Sequence, residues 1–196
     1  MHTPDRARLQ VVTGPMFAGK SEELMRRVRR ARIAGLSVEL VSHALDDRRG
    51  TGQVSSHSGL SVPSRSVADA GALVAATRGR DLDIVAIDEA QFFGPALVAA
   101  VDELVADGVT VVVAGLCVTF DGQPFEPLPA LMATAEDVIK LTAVCAVCGA
   151  DAVFHQRLAP GEVADARVPT AEQVGGIESY QARCRRHFTG GPVSTR

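Results

Sequence analysis

The chain has 196 residues, 46% of them hydrophobic, which fits one domain with a sizeable core and a small appendage. The formal net charge of −3 gives no indication of a nucleic-acid partner. No apolar run reaches the roughly 18 residues that a membrane span needs, and the first residues lack the apolar core of a signal peptide. We therefore expect a cytoplasmic protein without a membrane or nucleic-acid partner.

Apolar runs alternate with helical patterns along most of the chain. This alternation predicts an α/β fold whose mainly parallel sheet has helices on both sides. Residues 44–66 are rich in Gly, Ser and Asp, and we expect most of them to form a long loop, which is often a lid. The predicted strands are LQVV near the N-terminus and residues 38–43, 83–90, 109–116 and 137–144, and the predicted helices begin at Ser21, Val67 and Pro95.

The first predicted strand leads into GPMFAGKS, which matches the phosphate-binding pattern G-x-x-x-x-G-K-S. Backbone N–H groups of such a turn and the start of the following helix bind polyphosphate. The ammonium of Lys20 can sit against the β- and γ-phosphates of ATP, and Ser21 would supply a hydroxyl to Mg²⁺. The residues predicted to hold the nucleotide are Gly14, Pro15, Met16, Phe17, Ala18, Gly19, Lys20 and Ser21.

Two carboxylates follow the apolar run IVAI. Asp88, at the carboxyl end of a parallel strand, is expected to hold the magnesium ion, usually through water. Glu89 comes next and is the candidate general base, which could deprotonate either an acceptor hydroxyl or a water molecule. The residues alone therefore leave an acceptor kinase and an ATPase as alternatives.

Two short pairs of metal-binding residues lie near the C-terminus. Cys145 and Cys148 form C-x-x-C, and Cys184 and His187 form C-x-x-H. Three thiolates and one imidazole complete the tetrahedral ligand set of a structural Zn²⁺ and leave no open position for catalysis. The alternative for C-x-x-C is a redox pair, but no thioredoxin-like context surrounds it.

The change of pattern at Cys145 predicts two parts, a nucleotide-binding domain over 1–144 and a small zinc-stapled lobe over 145–196. The segment between the two metal-binding pairs contains EQVGGIESY. Gly175 and Gly176 permit close approach of the backbone to a ligand, and Tyr180 can stack or donate its hydroxyl. This segment is a candidate acceptor pocket, with an ordinary glycine turn as the alternative.

Four stretches together, GPMFAGKS, DEAQFF, KLTAVCAVC and VGGIESYQARCRRHF, resemble the second type of thymidine kinase, the zinc-containing family of bacteria and of the animal cytosol. The resemblance runs in the right order from about Leu9 to His187. It implies a P-loop, RecA-like core with a zinc-binding lasso lobe, and ATP-dependent phosphorylation of the 5′-hydroxyl of thymidine to dTMP. It also implies a nucleoside substrate of the thymidine or deoxyuridine type, feedback inhibition by dTTP and a homotetramer.

The resemblance also implies roles for particular residues. The base of the family corresponds to Glu89, the magnesium ligands to Ser21 and Asp88, and an arginine that assists the transfer, in the DDR stretch, to Arg48. The lasso holds the base of the nucleoside largely by backbone groups. The residues that would line the nucleoside pocket are Phe92, Phe120, Phe125, Val174, Gly175, Gly176 and Tyr180. The chain departs from the family where LCVTF replaces the frequent LDGTF, so we interpret residues 116–120 as a strand end and pocket wall.

Two alternative functions remain open on the sequence. A P-loop ATPase or nucleotide-dependent switch would use Glu89 to activate water, and a zinc-ribbon module would bind nucleic acid. We interpret His43, His57 and His155 as ordinary surface or loop residues, and Cys117 as a buried side chain without a role.

Overall fold

The computed structural model describes residues 7–45, 53–55, 61–158, 166–167 and 179–190. Its centre is a six-stranded sheet formed by β1 (Leu9–Thr13), β2 (Val38–His43), β5 (Arg65–Val67), β6 (Ile84–Ile87), β7 (Thr110–Gly115) and β8 (Asp137–Lys140). The strand order is β5-β2-β6-β7-β1-β8, and every neighbouring pair is parallel. The helices are α1 (Lys20–Ile33), α2 (Ala70–Thr77), α3 (Ala96–Ala106) and α4 (Leu128–Thr134).

Alternate side chains of the central strands enter two separate cores. On β1, Val11 joins one core and Val12 the other. The larger core packs under α2, α3 and α4, and the second packs under α1, which contributes Leu24, Met25 and Val28. Helices on both faces explain why β7 is apolar along most of its length. The predicted α/β fold with a mainly parallel sheet is confirmed.

Parallel strands bring their carboxyl ends to one edge of the sheet. The neighbouring strands β6, β7 and β1 end at Ile87, Gly115 and Thr13. The Thr13 hydroxyl donates a hydrogen bond of 2.9 Å to the Gly115 carbonyl oxygen and so ties two of these ends together. The segments that follow the three strands therefore meet in space, as is usual for ligand sites in open α/β sheets.

The structure corrects several predicted boundaries. The described part of the predicted 44–66 loop holds an antiparallel pair, β3 (Gln53–Ser55) with β4 (Ser61–Pro63), and the start of β5. The run at 137–144 is split into β8 and the short β9 (Ala143–Val144). The strand predicted over 83–90 is only β6, since residues Ala90–Phe93 form a 3₁₀ turn. Helix α4 was not predicted.

The residues after β8 form small antiparallel pairs beside the sheet. β9 pairs with β10 (Asp151–Ala152), and β11 (Phe154–Arg157) pairs with β12 (Tyr180–Arg183). A small core that includes Ala143, Ala152 and Ala182 lies between them, and Phe17 and Ala18 pack against it. This part of the molecule therefore contacts the phosphate-binding loop directly. Within the described ranges, no helix is long and apolar enough to cross a membrane.

Candidate active site and metal centre

The GPMFAGKS turn connects β1 to the first residue of α1. Gly14 has φ +150°, and a Cβ at this position would lie 2.5 Å from the carbonyl oxygen of Leu141, so only glycine fits. Gly19 precedes the helix with φ +83°, and among the described residues no side chain caps α1. The first N–H groups of α1 and its positive dipole end are thus available to an anion, which fits the triphosphate of ATP.

Lys20 is the first residue of α1, and its side chain reaches back to this turn. Its side chain is buried, and Nζ donates a hydrogen bond of 2.9 Å to the Pro15 carbonyl oxygen. Phe17 has a φ of +69°, a backbone conformation that is uncommon for a residue with a side chain and that often occurs at functional sites. The Lys20 ammonium thus binds the backbone of the loop, and phosphate oxygens of a bound nucleotide would replace the Pro15 carbonyl oxygen as its partner.

A hydroxyl and a carboxylate meet next to the turn. Ser21 Oγ donates to Asp88 Oδ1 at 3.2 Å, and the backbone N–H of Glu89 donates to the same oxygen at 3.0 Å. Asp88 is almost fully buried. Oxygen ligands of this kind, beside a polyphosphate site, fit the requirements of Mg²⁺.

Glu89 immediately precedes the 3₁₀ turn Ala90–Phe93 that follows β6. Its backbone is left-handed, with φ 49° and ψ 46°. Its carboxylate accepts a short hydrogen bond from Gln91 Nε2, and Gln91 Oε1 accepts from the backbone N–H of Leu116 at 3.0 Å. The predicted general base is therefore held by a side chain that also binds the chain just beyond β7.

A cavity lined mainly by apolar and aromatic side chains opens beside these carboxylates. Met16 of the phosphate-binding turn and Gln91 both reach its wall, so the cavity adjoins the phosphate site. Ala166, the only lining residue from the described pair 166–167, is buried. The lining residues are Met16, Gln91, Phe92, Leu116, Thr119, Phe120, Phe125, His155, Ala166 and Tyr180.

The cavity includes the four described aromatic residues that the sequence pointed to, Phe92, Phe120, Phe125 and Tyr180. The rings of Phe120 and Tyr180 lie 6.5 Å apart between centroids. An apolar, aromatic wall with a few polar groups is typical of a pocket for a small-molecule ligand. Arg48 and the segment Val174, Gly175 and Gly176 lie outside the described residues.

The structure overturns our interpretation of two histidines. His43 is buried and packs edge-on to Phe93, with 4.8 Å between ring centroids, and burial lowers its pKa. His155 is buried in β11, and its ring lies 5.8 Å from that of Tyr180. Both expectations failed because burial depends on neighbours that lie far away in sequence. His57 lies outside the described residues.

His155 is the unusual polar group of the cavity wall. Its Nδ1 is buried and has no hydrogen-bond partner among the described residues. Burial, and secondarily the positive charge of Lys20, lower the pKa of His155 to about 3. The imidazole is therefore neutral at physiological pH.

Cys145, Cys148, Cys184 and His187 come together as a metal-binding cluster, with all four ligand atoms within 4.8 Å of one another. The Sγ atoms of Cys148 and Cys184 are 3.8 Å apart, as are Cys145 Sγ and His187 Nδ1. Tetrahedral Zn²⁺ with Zn–S bonds of about 2.3 Å separates two sulfur ligands by about 3.8 Å, so the arrangement fits zinc.

The surroundings of Cys145 favour its thiolate form. Desolvation raises the pKa of the thiol, but hydrogen bonds from the backbone of Cys184, Val147 and Cys148 and from the His187 side chain outweigh it and lower the pKa to about 5. A thiolate is the form that binds metal. Cys117, outside the cluster, is only half-buried, so its predicted burial was wrong.

Sequence reasoning missed Gln91, His155 and Ala166 as cavity residues, whereas Leu116 and Thr119 lie in the stretch 116–120 that it interpreted as a pocket wall. Gln91 stands inside the DEAQFF stretch, which was the one available signal. His155 and Ala166 carry no motif, because only the folded chain brings β11 and residue 166 to the cavity wall.

The strand–turn–helix that cradles phosphate, its adjacent carboxylates and the neighbouring cavity define a P-loop protein of the phosphoryl-transfer class with a Cys₃His metal centre. Comparison with known proteins narrows this class. The thymidine kinase family model matches residues 7–188, and the chain belongs to that family.

Two relatives named thymidine kinase show the extent of the similarity. The protein from Deinococcus deserti is 46% identical over 188 residues, covering 91% of this chain and 93% of the relative. The protein from Halobacterium salinarum is 49% identical over 179 residues, covering 90% and 91%. Among solved structures, the genome-packaging NTPase B204 of Sulfolobus turreted icosahedral virus 2 is 14% identical over 71% of this chain and 76% of its own, with a TM-score of 0.47, a likeness too distant to bear on function.

Proposed function

We propose that the protein transfers the γ-phosphoryl group of ATP to the 5′-hydroxyl of thymidine, giving ADP and dTMP. The observation that carries this proposal is the position of Glu89. Its carboxylate is bound to Gln91, a wall residue of the aromatic cavity, and its backbone N–H is bound to Asp88 beside the phosphate-binding turn. One residue, Glu89, thus contacts both Asp88 beside the proposed donor site and Gln91 in the wall of the proposed acceptor site.

The phosphate-binding turn and Lys20 would hold the triphosphate, with the outermost phosphate nearest Ser21 and Asp88. These two residues would hold Mg²⁺, which supplies charge neutralisation of the β- and γ-phosphates when bound. Glu89 would accept the proton of the 5′-hydroxyl as its oxygen attacks the γ-phosphorus, and ADP would leave with the bridging oxygen. Most of the acceleration would come from positioning and from charge stabilisation.

The cavity wall would receive the thymine ring between aromatic side chains. Phe92, Phe120, Phe125 and Tyr180 would form the sides, and the backbone at Val174, Gly175 and Gly176 would hydrogen-bond the edge of the base. Thymine presents O2, N3–H and O4 along this edge, an acceptor–donor–acceptor pattern that main-chain groups can match. A closed pocket would exclude water and so suppress hydrolysis of ATP.

Family membership supports further parts of the proposal. Arg48 would close over the γ-phosphoryl group, and residues 145–196, held by the zinc ion, would form a lobe over the nucleoside bound by residues 1–144. dTTP would inhibit by feedback, since it carries both the base for the cavity and a triphosphate for the turn. The protein would work as a cytoplasmic homotetramer.

The alternative of a P-loop ATPase or switch is not favoured, because it gives no role to the aromatic cavity beside Glu89. The zinc-ribbon alternative likewise leaves the phosphate-binding turn without a role.

Replacement of the proposed base tests the mechanism. Glu89→Gln should retain binding of ATP and thymidine but lower turnover by about 10² to 10⁴, since the amide cannot accept the proton. Glu103→Gln is the matched control, because Glu103 is an exposed carboxylate of α3 that pairs with Arg78 far from the site. Near wild-type turnover of Glu89→Gln would show that another group is the base.

A further inference from the structure

Gln91 makes two hydrogen bonds that bridge two strand ends. The side chain is 2% exposed, and its amide spans from the Glu89 carboxylate beyond β6 to the backbone N–H of Leu116 beyond β7. A backbone N–H can only donate, so the amide oxygen must face Leu116 and the NH₂ group must face Glu89. The partners therefore fix the orientation of the amide.

Packing holds this bridge from the other side. A Cβ at Gly115 would lie 2.8 Å from Gln91 Oε1 and 2.9 Å from Leu128 Cδ2. The amide oxygen is therefore packed closely against the end of β7. Glu89 itself has a left-handed backbone, which costs free energy and persists only where surroundings hold it. Glu89, with its strained backbone, and Gln91, with its fixed amide orientation, are thus held together by a hydrogen bond.

We infer that Gln91 is a positioning residue that orients the Glu89 carboxylate toward the acceptor hydroxyl, an inference that rests on the proposed role of Glu89 as the base. The NH₂ group of Gln91 holds one carboxylate oxygen, Oε2, and so restricts the rotation of the Glu89 side chain. A general base must lie within hydrogen-bond reach of the proton it removes. Displacement of a catalytic group by about 1 Å can lower the rate about 10²-fold.

Two volume-conserving variants separate the two hydrogen bonds of Gln91. Gln91→Glu keeps an oxygen for the Leu116 N–H but loses the donor to Glu89, whereas Gln91→Met loses both bonds. Gln10→Met is the matched control. The Gln10 amide also ties two elements, accepting from Arg27 Nη1 at 2.6 Å, but Gln10 lies toward the opposite end of β1 from the phosphate-binding turn.

We expect both Gln91 variants to lower kcat about 10- to 100-fold while KM for ATP and for thymidine changes less than about threefold. A loss confined to kcat separates a positioning role from a general disturbance of the folded site, which would raise KM as well.

A double-mutant cycle with Glu89→Gln completes the test. If Gln91 acts through Glu89, Gln91→Met should lower kcat no further in the Glu89→Gln background. Three outcomes would each overturn the inference. The first is an additive fall in kcat in the double variant, and the second is an unchanged kcat in Gln91→Met. The third is a fall in kcat that is matched by an equal rise in KM and follows a lowered melting temperature. Loss of activity in Glu89→Gln with wild-type kcat in both Gln91 variants would refute the positioning role alone. Wild-type kcat in Glu89→Gln would instead refute the proposed base.

Discussion

Replacement of His155 by phenylalanine should remove a specific loss of stability at acidic pH. Protonation of His155 favours unfolding, because its pKa is about 3 in the folded protein and 6.5 when unperturbed. The unfolded state binds more protons across this interval, so stability is full above about pH 7 and falls as the pH drops through 6.5. At about pH 5 protonation of His155 raises the equilibrium constant for unfolding by a factor of about 30, which corresponds to a loss of about 2 kcal/mol in the free energy of unfolding.

The measurement is the free energy of unfolding in urea, followed by circular dichroism because the chain has no tryptophan. Wild type and His155→Phe are compared at about pH 7.5 and about pH 5 in the presence of zinc. Both proteins carry the same metal centre, so its titration cancels in the difference. Wild type should lose about 2 kcal/mol more than the variant. An equal loss in the two proteins would show that His155 is not a buried neutral imidazole.

The metal centre and the phosphate-binding turn yield two further predictions. Cys148→Ser should lower the zinc content, measured by elemental analysis, well below one ion per chain and should weaken thymidine binding, measured by calorimetry. Cys117→Ser is the control and should change neither. Full zinc occupancy in Cys148→Ser would contradict the ligand assignment. Gly14→Ala should weaken ATP binding at least about tenfold, because the added Cβ would meet the Leu141 carbonyl oxygen at 2.5 Å. Gly71→Ala, in α2, is its control, and wild-type ATP affinity in Gly14→Ala would refute the close approach.

The features that sequence reasoning predicted well depend on local chemistry. The phosphate-binding turn is one contiguous stretch between a strand and a helix, so its residues specify its shape without help from elsewhere. The metal ligands were predictable because thiolate and imidazole pairs at short spacing have few other uses. The four ligand atoms indeed meet within 4.8 Å.

The features that sequence reasoning missed depend on distant partners. Helix α4 has seven residues and no polar face, so hydrophobic periodicity could not reveal it. β5 is only three residues long and is defined by its pairing with β2. His155 is buried because β12 and Tyr180 cover it, and Gln91 has its role because Leu116, 25 residues later, donates to it.

The central claim is that the cavity beside Glu89 holds the acceptor of the phosphoryl group. Its most direct test is to incubate the purified protein with ATP and Mg²⁺, with and without thymidine, and to quantify ADP and dTMP. Transfer to the nucleoside predicts one dTMP for each ADP and almost no ADP without thymidine. ADP formation at the same rate without thymidine, and with no dTMP, would contradict the account.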